Sequence, residues 1–386
     1  MKTITIVTAT RSEYGLLSPV IYTLKNSGKF EVRVVVTGAH LSPEFGLTYK
    51  EIEKEGIPID RKIEILLSAD TSSAISKSMG IAMIGFADYF AERRPDAIVV
   101  LGDRYETLAV CCAAMNARIP IIHLYGGETT EGAIDEVIRH AITKLSYLHL
   151  TSTEKYRKRV IQLGEDPDRV FVVGAIGVEN ALRKQLLTKK QLESELNFQL
   201  DKPYAVVTFH PVTLETDSAE YQCNELMKAL DKHPEMNYII TKANADADGR
   251  IINRIIDEYS SEHENAVAYE SLGSVRYLSA LKYASMVIGN SSSGLVEVPS
   301  FGIPTVNIGD RQKGRMKAAS IIDCIPSEEA ICAAIDYAET EECRKICKKR
   351  ENPYGDGDTT GKIIDAICKM FDKGINLKKR FYDIED

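Results

Sequence analysis

The sequence has no excess of positive charge, no long apolar run and no cysteine spacing typical of a zinc or redox site. Its 386 residues include 48 Lys and Arg against 56 Asp and Glu, a formal net charge of -8, which disfavours binding to nucleic acid or to a membrane surface. No run of about 18 apolar residues occurs, and the first residues show no signal-peptide pattern. We therefore expect a cytoplasmic protein whose 8 cysteines are free thiols.

A dinucleotide-binding fingerprint is also missing. The loop at residues 8–15, after the first predicted strand, has no GxGxxG pattern, so a nicotinamide-dependent oxidoreductase is disfavoured. No cluster of residues calls for a metal ion, and we predict no cofactor. A phosphate group must then be held by local cations and helix N-termini, and Arg11 in this loop is a candidate for that role.

The length and the apolar pattern predict two domains of ordinary size. Short β-branched runs alternate with turn-rich loops and helical stretches, the pattern of parallel α/β units. A polar helical stretch at residues 180–197 marks a boundary near residues 175–200. Two doubly wound sheets in tandem leave a cleft, and ligands bind beyond the carboxyl ends of the strands. The predicted strands are residues 4–10, 32–38, 97–103, 120–126, 148–152 and 170–174, and then 204–210, 238–243, 266–269, 286–289 and 305–308.

Two long helices are predicted from the spacing of apolar residues. Residues 358–373 begin with Asp-Thr-Thr at 358–360 as the predicted cap and continue with apolar side chains at helical spacing. Residues 73–93 are predicted to form a helix with a single stripe facing the core. The members of that stripe are Ile75, Met79, Ala82, Met83, Phe86 and Phe90.

Carboxylates follow two successive predicted strands of the first half. Asp103 ends one strand and Glu128 follows the next. Because successive parallel strands commonly pair, we expect the two side chains to project from one sheet edge about 5–10 Å apart. Such a pair can supply one base and one acid at neutral pH; the alternative is that each carboxylate only caps the following helix. Asp135 and Arg139 stand four residues apart, so on a helix they share a face and are placed to form a salt bridge.

The strand ends of the second half carry groups suited to a diphosphate. Residues 290–294, Asn-Ser-Ser-Ser-Gly, precede a helix, so hydroxyls, backbone N–H groups and a positive helix end indicate an anion site. The alternative is an ordinary serine-rich cap. His210 ends another strand as a candidate acid for a leaving phosphate, and Glu297, one turn into the helix, is a candidate ribose ligand. Residues 309–315 bring three cations after the next strand.

Ordered motifs run along almost the whole chain. They are Thr-Arg-Ser-Glu-Tyr-Gly at 10–15, Gly-Asp-Arg-Tyr-Glu at 102–106, Gly-Gly-Glu at 126–128, Asp135 with Ile-Arg-His-Ala-Ile-Thr-Lys at 138–144, His-Pro at 210–211, Gly-Asn-Ser-Ser-Ser-Gly at 289–294, Gly-Asp-Arg-Gln-Lys-Gly-Arg at 309–315 and Asn-Pro-Tyr-Gly-Asp-Gly at 352–357. This set resembles the hydrolysing UDP-N-acetylglucosamine 2-epimerases of bacterial sialic acid biosynthesis. The resemblance implies GT-B architecture, an α/β fold of two Rossmann-like doubly wound domains with a cleft between them. It implies a first domain at residues 1–178, joined by a C-terminal helix at about 360–386, and a nucleotide-binding domain at 179–359.

The implied activity converts UDP-N-acetylglucosamine to UDP and N-acetylmannosamine, by elimination to 2-acetamidoglucal and then hydration. Gly-Asp-Arg stands at residues 102–104, where the non-hydrolysing branch typically has Gly-Asp-Thr, and this favours hydrolysis. Three alternatives stay open: a 2-epimerase of a UDP- or GDP-linked 2,4-diacetamido sugar of legionaminic acid biosynthesis, a GT-B glycosyltransferase, and a nucleotide-sugar sensor without turnover. The family also implies a homo-oligomer, either a dimer or a tetramer.

The resemblance assigns roles to four residues. Asp103 and Glu128 are expected to remove the C2 proton and to activate water. Asp135 is expected to reprotonate C2 or to orient that step, and His210 to assist the departing diphosphate. The expected substrate-binding residues are Arg11, Ser291, Ser292 and Arg311 for phosphate, Glu297 for ribose, and also Arg104, Asn244, Ser293, Gly294 and Arg315, with no metal ligand among them.

Overall fold

The computed structural model describes residues 1–67, 69, 71–131, 134–211, 218–243 and 249–384. The chain divides into two compact units. The first unit is Met1–Glu128, Asp135–Glu179 and Gly355–Asp386, and the second is Thr129–Ile134 and Asn180–Tyr354. Each unit contains a parallel sheet covered by helices, so the predicted α/β fold class is confirmed. In the described part of the chain, no helix is both long and apolar enough to cross a bilayer.

The sheet of the first unit has seven strands among the described residues, in the order β3-β2-β1-β4-β5-β6-β7, and all neighbours pair in parallel. These strands are β1 (Lys2–Thr8), β2 (Phe30–Thr37), β3 (Ile59–Ile63), β4 (Ala97–Leu101), β5 (Ile121–Leu124), β6 (Leu148–Thr151) and β7 (Val170–Val172). The helices from the same part of the chain are α1 (Arg11–Asn26), α2 (Tyr49–Lys54), α3 (Ser72–Glu92), α4 (Tyr105–Asn116), α5 (Asp135–Leu145), α6 (Glu154–Gln162) and α7 (Ile176–Arg183).

The central strands of this sheet are buried on both faces, which explains their nearly continuous apolar sequences. Successive residues of β4 belong to different cores because side chains alternate along a strand. Val99 lies in the core that includes Leu17 of α1, whereas Val100 lies in the core that includes Phe86 of α3. Helices on both faces therefore leave the ends of the strands as the places where polar side chains collect.

Helix α3 forms where it is predicted, but the predicted core-facing stripe was too wide. Ala82, Phe86 and Phe90 are buried, whereas Ile75 is 37% and Met83 is 38% exposed. Ile75 lies in the first turn, about 16 Å along the axis from Phe86, and Met83 lies about 60° away around the axis. Helical spacing alone therefore assigned to the core two side chains that lie largely outside it.

The sheet of the second unit has six strands among the described residues, in the order β10-β9-β8-β11-β12-β13, again all parallel. These strands are β8 (Tyr204–Thr208), β9 (Asn237–Thr241), β10 (Ala266–Tyr269), β11 (Met286–Gly289), β12 (Thr305–Ile308) and β13 (Ile321–Cys324). The helices are α8 (Lys189–Leu196), α9 (Ala219–Asp231), α10 (Gly249–Glu262), α11 (Gly273–Tyr283), α12 (Ser292–Val296), α13 (Val298–Phe301), α14 (Glu328–Glu339) and α15 (Glu341–Cys347).

Two strands and one helix break were missed by the sequence analysis. Strands β3 and β13 lie at sheet edges, where one side of the strand has no neighbour and polar residues interrupt the apolar run. The polar stretch at residues 180–197 is not one helix, because α7 ends at Arg183 and Thr188 caps the start of α8. A short apolar run that contains polar residues gives a weak strand pattern. The break between α7 and α8 was likewise not visible in the spacing of apolar residues.

The last helix, α16 (Thr359–Asp372), belongs to the first unit and shares its core with α1. Its N-terminus is capped by the carboxylate of Glu179, which accepts from the backbone N–H of Thr359 at 2.9 Å and of Thr360 at 2.6 Å. The prediction that residues 358–360 cap the start of this helix is confirmed in position, because Asp358 is the N-cap residue. The capping hydrogen bonds are made by the distant Glu179 carboxylate and not by the Asp358 side chain.

Candidate active site

Polar side chains of the first unit collect where β4 and β5 end. The two strands pair in parallel up to Leu101 and Leu124, so Asp103 and Glu128 follow neighbouring strands, as predicted. Neither residue occupies the N-cap position of the helix that follows it, because the N-cap of α4 is Arg104 and α5 begins only at Asp135.

A buried arginine joins these strand ends to α5. Arg139 is 1% exposed, and its Nε lies 2.8 Å from Oδ2 of Asp103, with Nη2 also in contact with that oxygen. Its Nη1 donates to the carbonyl of Glu128 at 2.9 Å and to Oε2 of Glu136 at 2.7 Å. A buried cation needs such compensation. Arg139 thereby fixes Asp103, the main chain at Glu128 and the first turns of α5, which carry Asp135, against one another.

The turns that carry the two carboxylates are held by further buried hydrogen bonds. The Ser152 hydroxyl donates to Oε1 of Glu128 at 2.8 Å, and that side chain is almost wholly buried. The ring of His123 lies 2.8 Å from the carbonyl of Gly102. Burial lowers the pKa of His123 to about 4, so the neutral ring donates this hydrogen bond from Nε2. The residue before Asp103 is thus anchored to β5.

Two predicted substrate ligands of the first unit are ion-paired. Nε of Arg11, the first residue of α1, lies 2.9 Å from Oε2 of Glu51. Nε of Arg104 lies 3.2 Å from Oε2 of Glu106, whose side chain is 2% exposed. Beside Arg11, burial raises the pKa of Glu13 from 4.5 to about 7, although its carboxylate accepts from the backbone of Ala9. The loop after β1 is therefore rich in coupled charges.

In the second unit, His210 is fixed beside the serine-rich loop. Strand β8 pairs with β11, and the two chains approach so closely that a Cβ on Gly289 would lie 1.9 Å from the carbonyl oxygen of Thr208. Just beyond, the backbone N–H of His210 donates to Oδ1 of Asn290 at 2.8 Å, and Nδ2 of Asn290 donates back to the His210 carbonyl at 2.7 Å. This reciprocal pair joins the ends of two strands.

The serine-rich loop begins a helix, as predicted, but a short one. Ser291 is the N-cap of the five-residue α12, and its hydroxyl accepts from the N–H of Ser293. Glu297 is not one turn into that helix; it is the residue between α12 and α13. The hydroxyl of Tyr277 donates to Oγ of Ser293 at 2.9 Å, so the serine hydrogen is left to donate elsewhere. A short helix has a small dipole, and the hydroxyls and N–H groups dominate this loop.

The basic loop after β12, residues 309–315, contacts the start of the serine-rich loop at Asn290. Nη1 of Arg311 donates to the carbonyl of Asn290 at 3.1 Å, and Nε2 of Gln312 donates to it at 2.9 Å. Burial, with a further contribution from the Arg311 cation, lowers the pKa of His210 to about 3. In the ligand-free protein the His210 ring is therefore neutral at pH 7, and its role as an acid for the leaving group stays a prediction.

The remaining predicted substrate ligands fall in the same unit. Gly294 packs so tightly that an added Cβ would lie 2.8 Å from Cγ2 of Thr305, and its carbonyl accepts from the hydroxyl of that residue. Ser292 is the first residue of α12, and Arg315 ends the basic loop. Asn244 lies outside the described residues. Its predicted role stays a prediction.

Sequence comparison connects these features to known enzymes. A family model described as UDP-N-acetylglucosamine 2-epimerase matches residues 22–368. The chain belongs to the UDP-N-acetylglucosamine 2-epimerase family. Over 99% of both chains it is 43% identical to the GDP/UDP-N,N'-diacetylbacillosamine 2-epimerase (hydrolyzing) of Campylobacter jejuni. It is 41% identical to polysialic acid biosynthesis protein P7 of Escherichia coli, over 100% of this chain and 98% of that protein.

Solved structures of the epimerase family share the fold. The UDP-GlcNAc 2-epimerase of Neisseria meningitidis, in a crystal structure bound to UDP-GlcNAc, matches with a TM-score of 0.82 at 20% identity, over 96% of this chain and 100% of that one. The predicted fold of two Rossmann-like units of GT-B type is therefore confirmed.

Two residues of the candidate site were not identified from the sequence. Arg139 was interpreted as a partner of Asp135, and Tyr277 was not considered. Arg139 did leave a signal, because it lies one turn from Ile142 on the face of α5 that is buried, and a charged residue on an apolar face is rarely unpaired. The sequence contains no comparable signal for Tyr277. Its contact with Ser293 depends on how α11 packs against the serine-rich loop.

Proposed function

We propose that the protein is a hydrolysing 2-epimerase of a UDP-linked 2-acetamido sugar. The observation that carries this proposal is the gathering of Asp103, Glu128 and the start of α5 around buried Arg139, because inversion at C2 needs a base and an acid held at fixed positions. The Campylobacter relative, 43% identical and named as a hydrolysing enzyme, supports the reaction class.

The reaction is an elimination followed by a hydration. A carboxylate takes the C2 proton while the bond between C1 and the diphosphate oxygen breaks, which gives UDP and a 2-acetamidoglucal. Water then adds across the C1–C2 double bond, with hydroxyl at C1 and the proton delivered to the opposite face of C2. The sum is sugar nucleotide plus water to UDP plus the free C2 epimer. C2–H is not adjacent to a carbonyl, so positive charge developing at C1 is what acidifies it.

The carboxylates of the first unit divide the proton transfers in this proposal. Asp103 and Glu128 remove the C2 proton and activate water, and Asp135 delivers or orients the proton that inverts C2. Asp135 occupies the first position of α5, on the same helix as Arg139. Each of these steps contributes about 10²–10⁴-fold to the rate.

The second unit supplies the nucleotide ligands in this proposal. Ser291, Ser292 and Arg311 bind the diphosphate together with the backbone N–H groups of the serine loop. The neutral His210 ring donates a hydrogen bond to a diphosphate oxygen, and the negative charge that builds up on departing UDP raises the pKa of that ring. Glu297 accepts from the ribose hydroxyls. Because cations and N–H donors balance the diphosphate, we expect full turnover in EDTA.

Two sugars are candidates for the substrate. The family resemblance suggests UDP-N-acetylglucosamine, with N-acetylmannosamine as the product, although its motifs hardly separate the two sugars. The name of the Campylobacter relative favours a UDP- or GDP-linked 2,4-diacetamido sugar instead. The second sugar carries an acetamido group at C4, where N-acetylglucosamine has a hydroxyl, so assays of the two sugar nucleotides side by side distinguish them.

Proton NMR in D2O with each sugar nucleotide in turn tests the proposal. We expect release of free sugar with deuterium at C2 and inverted configuration, and the larger kcat/KM identifies the substrate. No acceptor is added, so a GT-B glycosyltransferase gives almost no UDP. Stoichiometric binding without any turnover of either sugar contradicts the proposal and favours a sensor.

A further inference from the structure

The chain after α16, residues 375–384, contains no helix or strand and contacts the first unit at several points; it is called here the C-terminal strap. Main-chain hydrogen bonds fix it near both ends. The N–H of Asn376 donates to the hydroxyl of Tyr147 at 3.3 Å, and the N–H of Tyr382 donates to the carbonyl of Gly164 at 3.0 Å. The Phe381 ring covers Gly164 so closely that an added Cβ would lie 2.2 Å from it.

Between these two anchors the strap inserts one cation into the end of α5. The ammonium group of Lys379 donates to the carbonyl of Lys144 at 2.9 Å and of Ser146 at 2.8 Å, and lies 2.6 Å from Oε2 of Glu165. The final carbonyls of a helix have no partner within the helix, and a cation there interacts favourably with them. Lys379 is therefore a C-terminal cap of α5 supplied from about 235 residues away.

Glu165 makes this contact a buried ion cluster. Its side chain is 1% exposed and also lies 2.6 Å from Nζ of Lys144 and 3.0 Å from Nε2 of His149. Burial alone raises the pKa of Glu165, but hydrogen bonds from His149, Lys144 and Lys379 outweigh it and bring the pKa to about 2. The carboxylate is thus charged at neutral pH, and loss of Lys379 leaves it less compensated.

The other end of α5 carries the candidate catalytic groups. The helix has 11 residues, about 16 Å, with Asp135 and Glu136 in its first turn and Arg139 one turn further on. A helix this short moves as a rigid body, so a shift at the carbonyl end is transmitted to Asp135. Buried residues also connect Glu165 with the residue before Asp103. His149, which contacts Glu165, is the strand neighbour of His123, and the His123 ring is hydrogen-bonded to the carbonyl of Gly102.

We propose that the C-terminal strap is part of the catalytic machinery of the first unit, with Lys379 as a positioning residue that holds α5 where Asp135 and Arg139 serve the reaction. This inference rests on the proposed function. It assigns a catalytic purpose to a segment that contributes no group to the chemistry.

Replacement of Lys379 tests the proposal, with Lys378 as the matched control because it is an exposed neighbour of the same type. In Lys379→Met we expect kcat to fall about tenfold, since displacement of a catalytic group by about 1 Å can cost up to 10²-fold. KM stays within about twofold, because the nucleotide ligands lie elsewhere. Lys379→Arg restores most of kcat, and Lys378→Met matches the wild type.

Hydrogen exchange of the intact protein supplies a readout that needs no turnover. We expect amides in the last turns of α5 to exchange about tenfold faster in Lys379→Met than in the wild type. If Lys379→Met fails to fold, Lys379→Gln keeps two N–H donors without the charge and is expected to fold with intermediate exchange and kcat. Unchanged kcat in Lys379→Met, unchanged exchange in α5, or equal losses in Lys378→Met overturns the proposal.

Failure of this inference is distinguishable from failure of the proposed function. A wild-type protein that turns over neither sugar nucleotide contradicts the function, and faster exchange of α5 in Lys379→Met then still supports the contact between strap and helix. A wild-type protein that turns over, together with an equally active Lys379→Met, contradicts the role of the strap alone.

Discussion

The candidate residues of the first unit are held by ion pairs, whereas those of the second unit are held mainly by neutral hydrogen bonds. Asp103 is fixed by the buried cation of Arg139, but His210 is fixed through its own backbone by the amide of Asn290. A charged pair fixes the orientation of a carboxylate, which proton transfer requires. Neutral donors bind an anion without a counter-charge that it must first displace. The difference agrees with our proposal of chemistry in the first unit and nucleotide binding in the second.

Loss of a carboxylate in the first unit is the strongest test of this comparison. In Asp103→Asn, Glu128→Gln or Asp135→Asn we expect kcat to fall by about 10²–10⁴-fold. The affinity for UDP should stay within about twofold of the wild type, because UDP is assigned to the second unit. UDP release and isothermal calorimetry measure the two quantities. A variant that keeps the wild-type kcat removes that carboxylate from the mechanism.

The buried ion pairs of Arg139 should also contribute strongly to the free energy of unfolding. In Arg139→Met the carboxylates of Asp103 and Glu136 lose their buried partner, and we expect the free energy of unfolding to fall by about 2–4 kcal/mol. This lies below the cost for wholly buried pairs because each carboxylate is 23% exposed. Lys345→Met is the control, since exposed Lys345 pairs with exposed Glu341 and such pairs contribute about 0–1 kcal/mol. Urea unfolding followed by circular dichroism measures both; equal losses contradict the prediction.

Glu13 of the first unit and His210 of the second should make the stability of the protein change with pH in opposite directions. Between pH 4.5 and about 7, folded protein keeps the Glu13 proton while the unfolded chain releases it, so stability falls as pH rises through this window. Relative to Glu13→Gln, the wild type should lose about 1–3 kcal/mol across it. His210 has the opposite effect on stability. Between about pH 3 and pH 6.5 the ring is protonated in the unfolded chain but neutral in the folded protein, so stability rises with pH.

Thermal unfolding of the wild type, Glu13→Gln and His210→Asn across pH 4–8 measures both effects. The stability difference between wild type and Glu13→Gln should change with pH, and that between wild type and His210→Asn should favour the wild type increasingly as pH rises from about 4 to 6.5. Two differences that are flat across this range contradict the assigned pKa directions.

The smallest expected effect tests the neutral hydrogen bonds of the second unit. Tyr277→Phe removes the hydrogen bond to Ser293 and should weaken UDP binding by about 0.5–1.5 kcal/mol, with kcat little changed. Tyr283→Phe on the same helix is the control, since its hydroxyl donates to the carbonyl of Leu187. A double-mutant cycle with Ser293→Ala should show coupling by calorimetry. Additive effects of the two substitutions would mean that the pair does not act together.

Much of the sheet could be predicted because central parallel strands are apolar on both faces and bounded by turn residues. The order of Asp103 and Glu128 along neighbouring strands followed from the same rule, since successive α/β units commonly place their strands side by side. Edge strands β3 and β13 could not be predicted this way. Polar residues interrupt their short apolar runs, so the local pattern is weak.

The partners of the charged residues could not be predicted, because each ion pair joins segments whose distance in sequence carries no information about their distance in space. Arg139 lies 36 residues from Asp103, and Arg11 reaches Glu51 on α2. Helical spacing suggested Asp135 as a partner of Arg139, a local choice that ignores the nearby strand end. The neutral state of His210 was likewise invisible, since burial is a property of the packed chain.

The sequence by itself determined the class of fold, the order of the strands that carry polar residues and the membership of the family, because periodicity, turn residues and ordered motifs are local properties of the chain. Tertiary structure alone decided which charges meet. It set Arg139 against Asp103, Tyr277 against Ser293 and Lys379 against the end of α5. The physical reason is that the pairing and protonation of these groups depend on burial and distance, which exist only once the chain has packed.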